Sequence, residues 1–462
     1  MRYTLNEIDH SIFRAYDVRG IVGTALTDST VYHLGRAFSA EAKSQGINHV
    51  NVAADGRLSS PSLKKIFSEG LMDGGCNVTD IGYVPTPTLY YSAYQDDQCT
   101  GVMITGSHNP ADYNGFKMML NGHTLSGDDI QNLKHRILEQ NYSEGEGTHE
   151  VLDIRQRYLQ RILGDVKLNR KLKVVVDCGN GIPGELALQL IEQLGCDIIP
   201  MYCEVDGTFP NHHPDPGKPK NLQDAIAMVK KTGADLGLAF DGDGDRVGVI
   251  TNEGNIVYPD RVMMLFSEEI IKRNPGAEII FDVKCSRLLA KVIEEAGGKA
   301  TMWRTGHSLI KQKIKESGAL LGGEMSGHIF FKERWYGFDD ALYSAARLLE
   351  ILTNTDKTAE QLFTQYPEDI NTPELNITVT DENKFDIVTA LQAKTFPGGV
   401  ANHIDGVRVD YPDGWGLIRA SNTTPVLVLR FEAETEEVLQ RIRREFEQKL
   451  HEVDSTLIIP HE

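Results

Sequence analysis

Three aspartates at alternate positions, Asp241, Asp243 and Asp245, stand in the segment Phe-Asp-Gly-Asp-Gly-Asp-Arg (240–246) between two apolar runs. Hard carboxylate oxygens at that spacing suit Mg²⁺ or Ca²⁺, and Gly242 and Gly244 permit the tight curvature that gathers them. The segment is not an EF-hand, because Arg246 stands where that loop needs glycine and Asn252 where it needs glutamate. Three carboxylates leave a Mg²⁺ site open for a phosphate oxygen, and Arg246 adds a fixed cation beside it. A second segment, Thr-Gly-Ser-His-Asn-Pro (105–110), places Ser107 after an apolar run and before Asn109-Pro110, a pair that forces a turn. A serine so placed presents its hydroxyl to a cleft, with His108 beside it. Further on, Phe116, Met118 and Leu120 share one face of a strand and Lys117 projects to the other. These residues suit a nucleophile with basic neighbours. The Gly-x-Ser-x-Gly elbow of the α/β hydrolases is absent.

Two further segments offer binding rather than bond-making groups. Gly-Gly-Glu-Met-Ser-Gly-His (322–328) sets a carboxylate, a hydroxyl and an imidazole on a glycine frame, and Glu324 and Ser326 are suited to hydrogen-bonding vicinal sugar hydroxyls. Upstream, Thr-Gly-His (305–307) ends one strand and Lys284 lies at the end of another. Arg-Ala-Ser-Asn-Thr-Thr-Pro (419–425) brings the guanidinium fork of Arg419 together with small donors and a turn able to present backbone N–H groups, which reads as a phosphate clamp.

The elements that must position these loops repeat along the chain. His49–Arg57, Leu172–Gly181 and Ala277–Ser286 each contain a β-branched apolar run ending in aspartate: Asp55, Asp177 and Asp282. In each case a helical pattern, a glycine turn and a second apolar run follow. A third apolar run then closes the unit in one of the loops above. Such alternation implies βαβ units and mainly parallel sheets covered on both faces, whose ligands lie beyond the carboxyl ends of the strands. A period of about a hundred residues points to duplicated domains, since solenoid repeats run at roughly 20–50. After Pro367 the texture changes to short strands with period-two alternation. A final helix follows, capped by Thr435, with Leu439, Ile442, Phe446 and Leu450 on one face. The expected fold is three similar mixed or mainly parallel α/β/α domains (1–150, 151–256 and 257–367) and a smaller C-terminal α+β domain (368–462) around a central cleft. Glu368–Pro373 is the expected hinge.

The chain has 462 residues and a formal net charge of −19. That balance disfavours nucleic acid and anionic membrane surfaces. It also means that a phosphorylated substrate needs cations concentrated locally. The six cysteines form no C-x-x-C pair and read as free thiols in a reducing compartment. No apolar run approaches membrane length, so a cytoplasmic location is expected.

In their order and number these four loops resemble the α-D-phosphohexomutase superfamily, and especially its bacterial bispecific phosphomannomutase/phosphoglucomutase branch. The resemblance runs from Phe-Arg-Ala-Tyr-Asp-Val-Arg-Gly (13–20) to the final helix. It implies an intramolecular phosphotransferase that interconverts hexose 1- and 6-phosphates of mannose, glucose or both, in the supply of nucleotide sugars and polysaccharides. By the resemblance, Ser107 carries the transferable phosphate, and Asp241, Asp243 and Asp245 hold one Mg²⁺ together with it. Arg19, His108, Lys117 and His328 join Ser107 in catalysis, with Arg246 beside the metal. Tyr16, Lys284, His307, the loop Glu324, Met325, Ser326, Gly327 and His328, and the loop Arg419, Ala420, Ser421, Asn422 and Thr423 bind substrate. Hexose 1,6-bisphosphate serves as intermediate and activator, the partners are small sugar phosphates, and a monomer is expected. Related phosphoglucosamine mutases usually carry glutamine where Met325 stands, which argues against that branch. A metal-dependent sugar phosphatase using the same serine is the other alternative. His328, His307 and Lys117 are all candidates for the base that takes the sugar hydroxyl proton.

Overall fold

A computed structural model of the chain describes residues 3–5 and 7–461. The three Asp-ended runs become interior strands of three separate sheets. His49–Ala54 lies between Asn77–Tyr83 and Gly101–Ile104, parallel to both. Lys173–Asp177 lies in the same way between Asp197–Met201 and Leu236–Phe240. Glu278–Asp282 lies between Lys299–Trp303 and Leu321–Gly323. In all three the third strand doubles back into an antiparallel neighbour: Tyr113–Leu120, Val247–Thr251 and Ile329–Phe331. The three functional loops expected in these units are the hairpin connections at those reversals. The sheets are therefore mixed, parallel at the core and antiparallel on the edge that carries the chemistry.

The tail forms an antiparallel sheet in which Val407–Tyr411, Gly414–Ala420 and Val426–Ala433 pair in succession. The final helix Glu436–His451 lies on it. Thr435 accepts from the Val438 N–H as its cap, and Leu439, Ile442, Phe446 and Leu450 are buried. Glu368–Pro373 is not a free tether, since Ile370–Asn371 pairs with Ala433 and Glu432 of the tail sheet and the Thr372 N–H donates to the Phe431 carbonyl. Helix Ala341–Thr353, at the end of the third unit, packs its apolar side between the second and third sheets, so those two units share one continuous core. The tail is joined to the third unit by a small cluster of Val283, Trp415 and Leu417, reinforced by Arg408, which donates to the Val283 and Cys285 carbonyls. No helix of the described residues is long and apolar enough to cross a membrane.

Candidate active site

Ser107 sits in left-handed backbone, at φ 49°, and is 3% exposed. Its hydroxyl donates to Asp241 Oδ2 over 3.2 Å and lies 3.1 Å from His108 Nδ1. The unusual backbone is held from below. Asp55 accepts from the Thr105 hydroxyl and the Gly106 N–H. Arg57, anchored on Asp55, donates to the carbonyls of Ser107, Asn109, Pro110 and Tyr113. An αL residue is costly unless its surroundings over-determine it, and this arginine, fully buried under the loop, does so. Asp282 plays the matching role in the third unit, accepting from the Thr305 hydroxyl and the Met325 N–H. Two of the three repeated aspartates thus brace the closing loop of their own domain. Asp177 instead contacts Gly179 and His212.

Asp241, Asp243 and Asp245 are completely buried and offer oxygens within 4.8 Å of one another. Lys117 crosses from the first unit, its Nζ 2.7 Å from Asp243 Oδ2 and 2.5 Å from Asp245 Oδ2. Arg246 Nε lies 3.0 Å from Asp241 Oδ2, and the Thr86 hydroxyl donates to Asp243. Asp243 Oδ1 and Asp245 Oδ1 are buried acceptors with no hydrogen-bond partner among the described residues. Unpaired carboxylate oxygens in such a place are costly unless a cation meets them, so the donor set fits a hard divalent ion. Burial, then repulsion from Asp245 and Asp243, pushes the Asp241 carboxyl up to about 8. Burial works against ionisation of Asp243 as well, but Lys117 and Thr86 override it and hold that carboxyl below its ordinary range.

The other predicted residues continue the cleft. Arg246 and His328 form a backbone bridge that joins the metal loop to the sugar loop. His328 Nδ1 lies 3.0 Å from Asp339 Oδ2 and 3.6 Å from Asp245 Oδ1. Burial opposes its charge, yet Asp245 and Asp339 raise its pKa. His307 packs its ring 5.6 Å from that of His328. Burial and then Lys311 hold it well below its usual range, hence neutral. Burial and then Arg246 and Arg19 do the same to His108. Glu324 accepts from the Gly306 N–H at 2.5 Å, and burial pushes its carboxyl up to about 7. Gly327, at φ 103°, makes the reversal that returns the chain to His328. Met325 and Ser326 are half-buried beside them. Arg19 Nη1 donates to Asn109 and its Nη2 pairs with Asp17.

The far end of the cleft is built by the tail. Arg419 is held through Nε on Asp405, 3.0 Å away, while its Nη2 is buried with no partner among the described residues. Ala420 is buried at the strand end, so only its backbone can serve a ligand. Ser421 folds the loop by accepting from the N–H groups of Thr423 and Thr424. Tyr16 lies close to Arg419, whose charge acts on its hydroxyl, and its ring meets that of His307 at 5.5 Å. Lys284 Nζ lies 3.1 Å from Glu374. Arg14 donates to the Thr423 carbonyl, so the first unit touches the tail and shuts the cleft. The predicted residues therefore form one chain of contacts from Ser107 to Arg419. Arg19, Lys117, Arg246, Lys284 and Arg419, all less than a tenth exposed, supply the local cations that the acidic chain requires. Arg57, Thr86, Asp339, Asp405 and Arg14 were not legible as site residues. The strand-end Asp-Gly-Arg (55–57) was the one signal available, and it marks a brace rather than a ligand.

A buried serine, a three-carboxylate metal cradle and a separate cationic clamp, spread over three repeated α/β units and an antiparallel tail sheet, define a metal-dependent sugar-phosphate phosphotransferase. Family descriptions match throughout: phosphoglucomutase/phosphomannomutase α/β/α domain I at 10–144, domain II at 156–254, domain III at 258–369 and the C-terminal domain at 374–449. The chain is 61% identical to a phosphomannomutase/phosphoglucomutase of Pseudomonas putida over 97% of each chain. It is 52% identical to a phosphoglucomutase of Neisseria meningitidis over 95% of this chain and 96% of that one. The crystal structure of a phosphoglucomutase/phosphomannomutase family protein from Burkholderia thailandensis superposes with a TM-score of 0.94 at 49% identity, covering 98% of this chain and all of that one. The chain belongs to the phosphoglucomutase/phosphomannomutase family, and it is an enzyme that interconverts hexose phosphates.

Proposed function

We propose that this enzyme moves a phosphate between the 1- and 6-positions of both glucose and mannose through a phosphorylated Ser107, with a hexose 1,6-bisphosphate as intermediate. The observation that carries the reading is the pairing of a buried Ser107 hydroxyl, 3.2 Å from Asp241, with an unpartnered guanidinium nitrogen of Arg419 at the other end of a closed cleft. Asp241, Asp243, Asp245 and the Ser107 phosphate would hold one Mg²⁺, which when bound neutralises charge on the phosphoryl group. Lys117, Arg19 and Arg246 surround the same group with fixed positive charge, the main contribution proteins make to phosphoryl transfer. Arg419, Ser421, Asn422 and Thr423 hold the distal phosphate, with Lys284 nearby. Glu324 and Ser326 take the sugar hydroxyls. His328, whose Nδ1 lies 3.0 Å from Asp339 Oδ2, is our candidate for carrying the hydroxyl proton.

After the first transfer the bisphosphate turns round, and one clamp serves both orientations. Water must stay out meanwhile. Ser107 is 3% exposed and Arg14 ties the first unit to the tail, which favours a mutase over a phosphatase. The reading takes the working unit to be a monomer in the cytoplasm. The test is ³¹P NMR of enzyme with Mg²⁺, trace glucose 1,6-bisphosphate and either sugar 1-phosphate. Both 6-phosphates should appear without inorganic phosphate, and Ser107→Ala should lose nearly all turnover. Release of inorganic phosphate at the rate of turnover would establish a phosphatase instead.

A further inference from the structure

Cys178 and Cys203 take no part in the chemistry above, yet their sulfurs lie 3.6 Å apart and both are free thiols. The parallel strands Lys173–Asp177 and Asp197–Met201 end side by side, Asp177 opposite Met201. Cys178 and Cys203 follow those ends, one and two residues beyond them. Cys178 is buried and Cys203 only partly so, which makes Cys203 the residue nearer to solvent.

The two loops lead to both halves of the transfer site. On the Cys178 side, the Gly181 N–H donates to the Cys178 carbonyl and the Ile182 N–H to the Gly242 carbonyl, within the metal loop. On the Cys203 side, Val205 lies against Gly56 and the Phe209 ring stands 5.1 Å from the guanidinium of Arg57, the residue that braces Ser107. Asn180 ties the loops together, its N–H donating to the Tyr202 carbonyl and its side chain to the Glu204 carbonyl.

We propose that Cys178 and Cys203 are a reversible oxidation site at which a peroxide forms a disulfide that slows phosphoryl transfer. The Cys203 thiolate attacks the peroxide O–O bond, becoming a sulfenic acid and releasing hydroxide. The Cys178 thiol then displaces water from that sulfenic sulfur, forming the S–S bond, so that two electrons pass from the thiols to the peroxide. A thiol reductant reverses the reaction by exchange. The sulfurs must close from 3.6 Å to about 2.05 Å. A displacement of about 1 Å passed to the loops flanking Gly242 and Arg57 is of the order that costs 10²-fold in rate.

The experiment treats the full-length enzyme with hydrogen peroxide and follows intact mass, peptide maps and mutase rate. The expected result is a loss of about 2 Da, one cross-linked peptide joining Cys178 to Cys203, a rate at least ten-fold lower, and recovery with dithiothreitol. Cys203→Ser should keep basal activity and resist the same exposure. Three outcomes overturn the proposal: oxidation of Cys203 to sulfinic acid with no cross-link, a cross-link with unchanged rate, or equal inactivation of Cys203→Ser. The mass readout needs no substrate, so it stands apart from the assignment of the mutase roles.

Discussion

The Cβ that any other residue would carry at position 242 would lie 2.3 Å from the carbonyl oxygen of Ser107. Real Cβ atoms do not approach backbone so closely, and the obstacle is main chain, which cannot rotate away. The glycine between the first two metal-site aspartates therefore sets how near the metal loop comes to the nucleophile. Its neighbour Gly244 has the separate duty of a left-handed turn, at φ 74°.

Gly242→Ala should fold, because the clash lies between two loops rather than in a core. It should lose about 10²-fold or more in kcat, since a misplacement near 1 Å costs that much. Steady-state kinetics with a thermal melt check this; wild-type kcat would show that the loops can separate without penalty.

Glu324 yields a pH-dependent prediction for stability. Burial raises its carboxyl from 4.5 to about 7, so between those values the folded chain keeps a proton that the unfolded chain has lost. Stability therefore falls as pH rises through that window, and the penalty is fully present above pH 7. Glu324→Gln removes the penalty and should stabilise the substrate-free enzyme by up to roughly 3 kcal/mol at pH 8 and scarcely at all at pH 4.5. The same change should lower kcat/KM, because a carboxylate is the stronger acceptor for sugar hydroxyls. Melting curves of both proteins across this range decide the matter; parallel curves would mean that Glu324 is already ionised when buried.

Arg14 donates to the Thr423 carbonyl and so fastens the first unit to the phosphate loop of the tail. Arg14→Ala should raise KM about ten-fold, the worth of one charge-assisted hydrogen bond, with a smaller effect on kcat. A looser cleft should also admit water, so ³¹P NMR should show inorganic phosphate that the wild type does not release. An unchanged KM and no free phosphate would remove Arg14 from the closing contact.

Much of this enzyme was legible residue by residue. Alternation alone sends Lys117 to the face opposite Phe116 and Met118, and the Asp-Gly-Asp-Gly-Asp spacing alone gathers a metal cradle. Thr435 announces its helix by the cap it makes. Three similar strand–helix orders foretold three sheets of one topology. These features depend on backbone preference and on which face a side chain takes, and neighbours in the chain determine both.

What only the tertiary structure decided are the meetings between distant segments. Lys117 finds Asp243 and Asp245 across 126 and 128 residues of chain. Of two adjacent acids before one helix, Asp340 caps it and Asp339 turns to His328, a division no local pattern encodes. Arg57 looks in sequence like any surface arginine after a turn, and becomes the buried brace of Ser107 only once the loop closes over it. Such contacts are set by how separately folded units dock, a matter of shape and burial over the whole molecule. The short-range periodicities that reveal strands and helices carry no record of it.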